Sequence, residues 1–254
     1  MIENFPEIIF EDENYIVINK PAGLIVHGAP GIDDVTLADL LIAKYPDIAE
    51  VGEDKLRPGI VHRLDKDVSG LMVIAKNNET FNNLKSQFKE RDVNKTYLAL
   101  VHGKIEKDYD DITFSIKRAK NGYKMAALPL NVTDLLTRRS PKSRDKGNMD
   151  GLFKSRTAET SFKVLKRYIN YTYLEIIIKT GRTHQIRVHF SAYGHPLAGD
   201  NLYCTRKSKE KNKKLNLGRV FLVASKLSFN NLEGEKKNFV LNLPAELEAF
   251  LPNN

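Results

Sequence analysis

The chain has no tryptophan and one cysteine, Cys204, in its 254 residues. A single cysteine excludes an internal disulfide and any zinc cage built from thiolates. Without tryptophan, aromatic contacts fall to the 10 tyrosines and 12 phenylalanines. No apolar run reaches the ~18 residues of a membrane span, and the opening Met1 to Lys20 is broken by acids, unlike a secretory leader. The expectation is a cytoplasmic protein with no membrane partner. Phosphate-loop and dinucleotide glycine fingerprints are also missing, which argues against nucleotide cofactors. His184 and His189 do not have the four-residue spacing of a zinc helix, so no metal site is expected, and no nucleophile-elbow motif supports a serine triad.

What the chain does have is positive charge, +8 overall, held in two runs. Arg138 to Arg156 carries +5 and Arg206 to Arg219 carries +6, leaving the remainder of the chain at about −3. Either run alone reads as a solvated face that aids solubility; two runs that together exceed the whole net charge point to contacts with a polyanion's phosphates.

Apolar runs at Glu7 to Phe10 and Tyr15 to Asn19, separated by Glu11-Asp12-Glu13-Asn14, predict a hairpin ending at Pro21. Thr36 is placed to cap a helix presenting Leu37, Leu40 and Leu41 and stopping before Pro46. A strand Leu71 to Ala75 leads to a helix with Phe81, Leu84 and Phe88 on one face behind an Asn77/Asn78 cap, then to a strand Lys95 to Val101 bounded by Gly103. Thr160 to Arg167 and Tyr171 to Lys179 read as a second hairpin joined through Ile169-Asn170, and Val220 to Ser225 and Phe239 to Leu243 as further strands. Leu128 to Lys154 has weak periodicity and exceeds the usual ~12 to 15 residues of a structureless loop, so it is either functional or disordered. Strands interrupted by single helices favour an α+β fold on a mixed, largely antiparallel sheet flanked by helices.

Two polar motifs stand out. Gly59 to Lys76 places Asp65 beside Arg63 in a glycine-bounded loop that runs into the apolar strand. Thr180 to Phe190 (Thr-Gly-Arg-Thr-His-Gln-Ile-Arg-Val-His-Phe) predicts a helix capped by Thr183, buried through Ile186 and Phe190, stopping at Gly194 and holding Arg187 near its start. A guanidinium beside a helix N-terminus would keep a carboxylate ionised or bind phosphate.

The string His62-Arg63-Leu64-Asp65-Lys66-Asp67-Val68-Ser69-Gly70-Leu71, the Lys95-Thr96-Tyr97 strand and the segment Gly181 to His189 resemble the three motifs of RluA-type RNA pseudouridine synthases. The likeness extends from Asn19-Lys20-Pro21-Ala22-Gly23-Leu24 through Gly194-His195-Pro196-Leu197-Ala198-Gly199-Asp200 to Leu243-Pro244-Ala245-Glu246-Leu247. Asp65-Lys66-Asp67 resembles the branch acting on large-subunit ribosomal RNA. The resemblance implies one catalytic domain over residues 1–254 with a central RNA-binding cleft, a basic insertion at 128–154 and no preceding S4 domain.

It further implies isomerisation of uridine to pseudouridine in structured RNA, 23S ribosomal RNA first and tRNA second, by a monomer without cofactor or metal. Asp65 would be the essential carboxylate, attacking the ribose C1′ or the base C6 or assisting a glycal route. Tyr97 would lie against the uracil, and Arg187 would pair with Asp65. Arg63 would displace the target base or clamp a phosphate. His62, Arg182, His184 and Lys95 complete the RNA-binding set, with loop-shaping the alternative role for His62, Asp67 and Arg182. A different class of function, an RNA-binding ribosome assembly factor of this fold without catalysis, is disfavoured by the intact Asp65, Tyr97 and Arg187. A metal-dependent nuclease using Asp65 and Asp67 is the third reading. Val68 stands where the family usually has Thr or Ser, Tyr203-Cys204 where it has Tyr-Gly, and the stretch Arg219 to Ala224 lacks a late His.

Overall fold

The computed structural model describes residues 4–28, 34–119, 124–128 and 156–251. It divides into two compact units, residues 1–99 with 217–254 and residues 100–216. Apart from Leu128, the expected insertion at 128–154 lies outside the described residues, as does the first basic run apart from Arg156.

In the first unit, β1 (Glu7–Glu11) and β2 (Tyr15–Lys20) form the expected antiparallel hairpin. Its turn is set by the Asp12 carboxylate, which accepts the Asn14 and Tyr15 amides, both at 2.8 Å. β2 pairs antiparallel with β3 (Ser69–Ala75), and β3 pairs in parallel with β10 (Leu222–Asn230). β10 in turn pairs antiparallel with β4 (Asn94–His102) and β11 (Lys236–Val240). The central position of β3 explains its unbroken apolar sequence: every residue from Ser69 to Ala75 is buried, and Ile16, Val17 and Ile18 of β2 lie beside it with no exposed surface. This is the mixed, largely antiparallel sheet of an α+β fold that the sequence predicts.

Helix α1 (Leu37–Lys44) begins at the expected Thr36, whose hydroxyl and amide exchange hydrogen bonds with Asp39 in a capping box, and a 3₁₀ turn (Pro46–Glu50) follows. α2 (Asn78–Glu90) starts where the Asn77 side chain accepts the Thr80 amide and buries Phe81 and Leu84.

In the second unit the end of β4 continues in the order β4, β9 (Tyr171–Ile178), β8 (Thr160–Arg167), β5 (Tyr109–Ile112). β6 (Ser115–Arg118) and β7 (Met125–Leu128) form a separate ribbon. Along β9, Thr172, Leu174, Ile176 and Ile178 are buried at the period of two that faces a core. On that core lies α3 (Gln185–Ala192), with the Phe190 ring 5.5 Å from Phe162. The second basic run is ordered: Arg206–Leu215 is a helix, α4, started by a Thr205–Ser208 capping box and ended by Asn216 in the left-handed region. A short α5 (Ala245–Glu248) belongs to the first unit. No described helix is long and apolar enough to cross a membrane.

Three expectations shift. Thr183 does not cap α3; His184 takes the N-cap position at φ 54° with no side-chain cap bond. The strand placed at Val220 to Ser225 extends instead to Asn230, because β11 pairs with its polar end, and the strand placed at Phe239 to Leu243 runs from Lys236 to Val240.

Gly70 sits at φ +121°, and a methyl group there would overlap the backbone oxygen and nitrogen of Ala224. Gly70→Ala will therefore destabilise the protein by more than about 2 kcal/mol, because neither strand can retreat without losing its pairing. Thermal unfolding of the variant, alongside the open-space control Gly234→Ala, measures this.

Candidate active site

The sheet register in the first unit lines up the catalytic candidates. Ala224 of β10 is opposite Gly70 of β3 on one side and Tyr97 of β4 on the other. Tyr97 thus stands two strands, roughly 10 Å, from the strand into which the Asp65 loop runs. The phenol is buried, with 6% of its surface exposed. Burial raises its pKa well above the ordinary tyrosine value, and the nearby negative charge of Asp65 raises it further. The hydroxyl is therefore protonated at neutral pH.

The Asp65 loop is tied down by backbone bonds. Val68 N–H donates to the Asp65 carbonyl at 3.2 Å, and the Lys66 carbonyl accepts the Gly23 amide at 2.7 Å. The same carbonyl accepts from Lys20 Nζ at 3.3 Å, and that ammonium also donates to the carbonyls of Pro21 at 2.7 Å and Leu24 at 2.8 Å. Lys20 has no exposed surface. Burial pushes its pKa down to about 7, the like charge of Arg219 adds to this, and Asp65 and Asp67 oppose it. One side chain thus holds the 21–24 turn against the residue next to Asp65.

The other end of the loop is held by Arg219, which donates to Ser69 Oγ at 2.6 Å and to Glu246 Oε1 at 3.2 Å. Val68, which stands where the family usually has Thr or Ser, is 2% exposed and counts among the buried hydrophobic residues.

His62 accepts the Val73 amide through Nε2 at 3.1 Å and stacks 4.6 Å from the Phe88 ring. Burial, with Lys95 adding, pushes it down to about 3, so the ring is neutral and shapes the loop. Lys95 lies 5.2 Å above the other partner of that stack, Phe88, and burial pushes its pKa down to about 8. Arg63 is exposed and reaches His27 Nε2 at 3.0 Å.

In the second unit, Arg182, His184 and Arg187 cluster around the start of α3. The Gln185 side chain organises this turn: its oxygen accepts from Thr180 Oγ1 at 2.8 Å and from the Arg182 amide at 3.1 Å, while its nitrogen donates to the Glu159 carbonyl at 2.9 Å. Arg182 Nε reaches the Thr157 carbonyl at 3.4 Å, consistent with a loop-stabilising role. Arg187 forms a two-point bond to Asp200, Nε to Oδ2 at 2.8 Å and Nη2 to Oδ1 at 3.0 Å, with both side chains almost fully buried. Burial alone would raise the Asp200 carboxyl, yet Arg187 and the Tyr203 and Leu202 amides hold it below the usual range. Tyr203 lies 5.3 Å from the Arg187 guanidinium, and its hydroxyl is 2.7 Å from His184 Nδ1. His189 is neutral: burial pushes it down to about 4, and Nε2 meets the Phe114 carbonyl at 3.1 Å.

The roles of Ser69, Gln185, Asp200 and Arg219 are legible only in three dimensions. For Lys20 a signal exists in the sequence, a lone cation closing the apolar run Tyr15 to Asn19. Above its folded pKa of about 7, Lys20 binds fewer protons folded than unfolded. Its contribution therefore makes stability rise with pH from about 7 toward the ordinary lysine value. Denaturant unfolding of wild type and Lys20→Met between about pH 7 and 10 will give a flatter pH dependence in the variant; equal slopes would show that Lys20 stays charged throughout.

Residues 14–192 match the family model described as RNA pseudouridylate synthase. The chain is 42% identical over 253 residues to an uncharacterized RNA pseudouridine synthase of Aquifex aeolicus, covering 97% of this chain and 72% of that protein. It is 38% identical over 252 residues to ribosomal large subunit pseudouridine synthase D of Neisseria meningitidis, covering 96% of this chain and 60% of that protein. Among solved structures, human RNA Pseudouridylate Synthase Domain Containing 4 matches with a TM-score of 0.69 at 26% identity, over 96% of this chain and 91% of that one. Human RNA Pseudouridylate Synthase Domain Containing 1 shares the fold, with a TM-score of 0.72 at 24% identity over 98% and 89%. A match that takes in both the Asp65 loop and the Arg187 helix, with relatives similar over nearly the whole chain, leaves one assignment: the chain belongs to the RNA pseudouridylate synthase family.

Proposed function

We propose that this protein isomerises a uridine of large-subunit ribosomal RNA to pseudouridine, with Asp65 as the essential carboxylate. The observation that carries the reading is the row Gly70, Ala224, Tyr97, which sets a buried phenol within the electrostatic reach of Asp65. The bond from uracil N1 to ribose C1′ breaks, the base turns, and C5 joins C1′; C5 loses a proton and N1 gains one. Atoms and electrons balance with no oxidant or reductant. Asp65 serves by attack on C1′ or C6 or by assisting a glycal route.

Tyr97 presents an aromatic face to the ring and, being held protonated, acts at neutral pH as a hydrogen-bond donor rather than a base. Arg187 is assigned its catalytic role by the family likeness, and its rigid pairing with Asp200 suits a cation that must keep one orientation. Exposed Arg63 is suited to filling the space left by a displaced base, and Lys95 to meeting phosphate, with His62, Arg182 and His184 shaping the loops around them.

The family match includes parts of both units, which supports treating residues 1–254 as one catalytic domain. The likeness to synthase D of Neisseria meningitidis supports ribosomal RNA over tRNA and a cytoplasmic site of action. We take the enzyme to act as a monomer.

Pseudouridine mapping of large-subunit ribosomal RNA and tRNA, incubated with wild type and with Asp65→Ala, tests the proposal. Wild type will modify ribosomal RNA, and Asp65→Ala will lower the rate by about a thousandfold or more without loss of fold. Modification confined to tRNA would overturn the substrate assignment, and an unchanged map with Asp65→Ala would overturn the role of Asp65.

A further inference from the structure

Helix α4 (Arg206–Leu215) carries Arg206, Lys207, Lys209, Lys211, Lys213 and Lys214 against the single acid Glu210. Its only buried residues are Ser208 and Asn212, one turn apart on the face turned to the body of its unit. Arg206, Lys207, Lys209, Lys213 and Lys214 are exposed. This arrangement works against the helix. Lys207 with Lys211 and Lys209 with Lys213 are like charges at i,i+4, and Arg206 and Lys207 put positive charge at the positive end of the helix dipole. Among the described residues the compensating ion pair is Arg206 with Glu210, 3.8 Å long and exposed. A helix needed only as a solvated connection has no reason to concentrate repulsion in this way.

The helix is nevertheless firmly placed. Asn212 Oδ1 accepts from His102 Nε2 at 2.7 Å and from the Gly199 amide at 3.0 Å, and Asn212 Nδ2 donates to the Asp200 carbonyl at 2.9 Å. Asp200 is the partner of Arg187. The cationic face is thus fixed by hydrogen bonds to the same loop that orients the buried guanidinium, and it repeats positive charge over about 12 Å of helix.

We propose that α4 is a docking surface for the phosphate backbone of the substrate RNA, apart from the residues that act on the uridine. The inference rests on the RNA-modifying reading for the identity of its partner. RNA is favoured over an anionic membrane because a membrane-surface helix needs an apolar face, and the only apolar residue of α4 is Leu215 at its end. Phosphates along a backbone meet separate lysines without any apolar contact, and each contact releases counterions.

The test replaces Lys207, Lys209, Lys213 and Lys214 together by Gln in the full chain. All four are exposed, and Gln keeps helix propensity, so the fold is retained, which circular dichroism and the unfolding temperature check. A second variant carries Arg at the same positions. Affinity for a large-subunit ribosomal RNA transcript, and for an RNA hairpin lacking any target uridine, is measured against salt concentration. The Gln variant will bind at least tenfold more weakly near physiological salt, and its slope of log affinity against log salt will be shallower by about three. The Arg variant will match wild type, and pseudouridine formation at saturating RNA will be unchanged in both.

Equal salt slopes for wild type and the Gln variant would overturn the proposal, as would binding of phosphatidylserine vesicles by wild type as tightly as RNA. Wild type that binds RNA with the steeper slope yet forms no pseudouridine would leave the dock standing and remove the catalytic reading. Pseudouridine formation with equal slopes would do the reverse.

Discussion

The close approach of two backbones, Gly70 on β3 and Ala224 on β10, is the constraint on which the first unit depends. The strands run parallel there, and at φ +121° the Gly70 backbone faces Ala224 with no room for a side chain. That approach sets the register of β10, and β10 sets the register of β4, so one glycine fixes where Tyr97 falls relative to the loop that ends at Ser69. A slip of one residue would turn Tyr97 to the opposite face of the sheet. The placement of Tyr97 relative to the Asp65 loop is therefore a consequence of strand packing.

Around that frame, the protein uses buried or largely buried cations as fasteners. Lys20 joins two loops through three carbonyls, Arg219 joins the end of the Asp65 loop to α5, and Arg187 is locked to Asp200. Each is expensive to desolvate, and each is retained where a neighbouring loop must not move. A charge with several directed hydrogen bonds restricts geometry more tightly than an apolar contact of the same size, because its partners must stay at fixed angles. Lys20 and Arg219 also repel each other, with Asp65 and Asp67 offsetting the repulsion, so the acids of the motif contribute to the electrostatic balance of its supports.

Much of the fold was legible in the chain, and the reasons differ by element. The β1–β2 and β8–β9 hairpins are readable because apolar runs and the turn residues between them are local; so are α1 and α2, whose caps Thr36 and Asn77 act within one turn. The cap of α3 was misplaced because Gln185 bonds Thr180 and the Arg182 amide and so decides the turn, leaving Thr183 out of it. The helix at Arg206–Leu215 was hidden by its charge: its anchors are the polar residues Ser208 and Asn212, and an apolar stripe is what periodicity detects. The length of β10 depended on β11, a partner remote from local pattern.

By itself the sequence determined the local matter: the hairpins, two capped helices, an α+β class, and the two motifs that carry Asp65 and Arg187, because each of these is written in neighbouring residues. Tertiary structure alone decided that Lys20 and Arg219 clamp the Asp65 loop, that Tyr97 is buried within reach of that carboxylate, and that Asp200 receives Arg187. These join residues far apart along the chain, and the register that joins them comes from a steric contact between two backbones, which leaves no mark on the pattern beyond a single glycine.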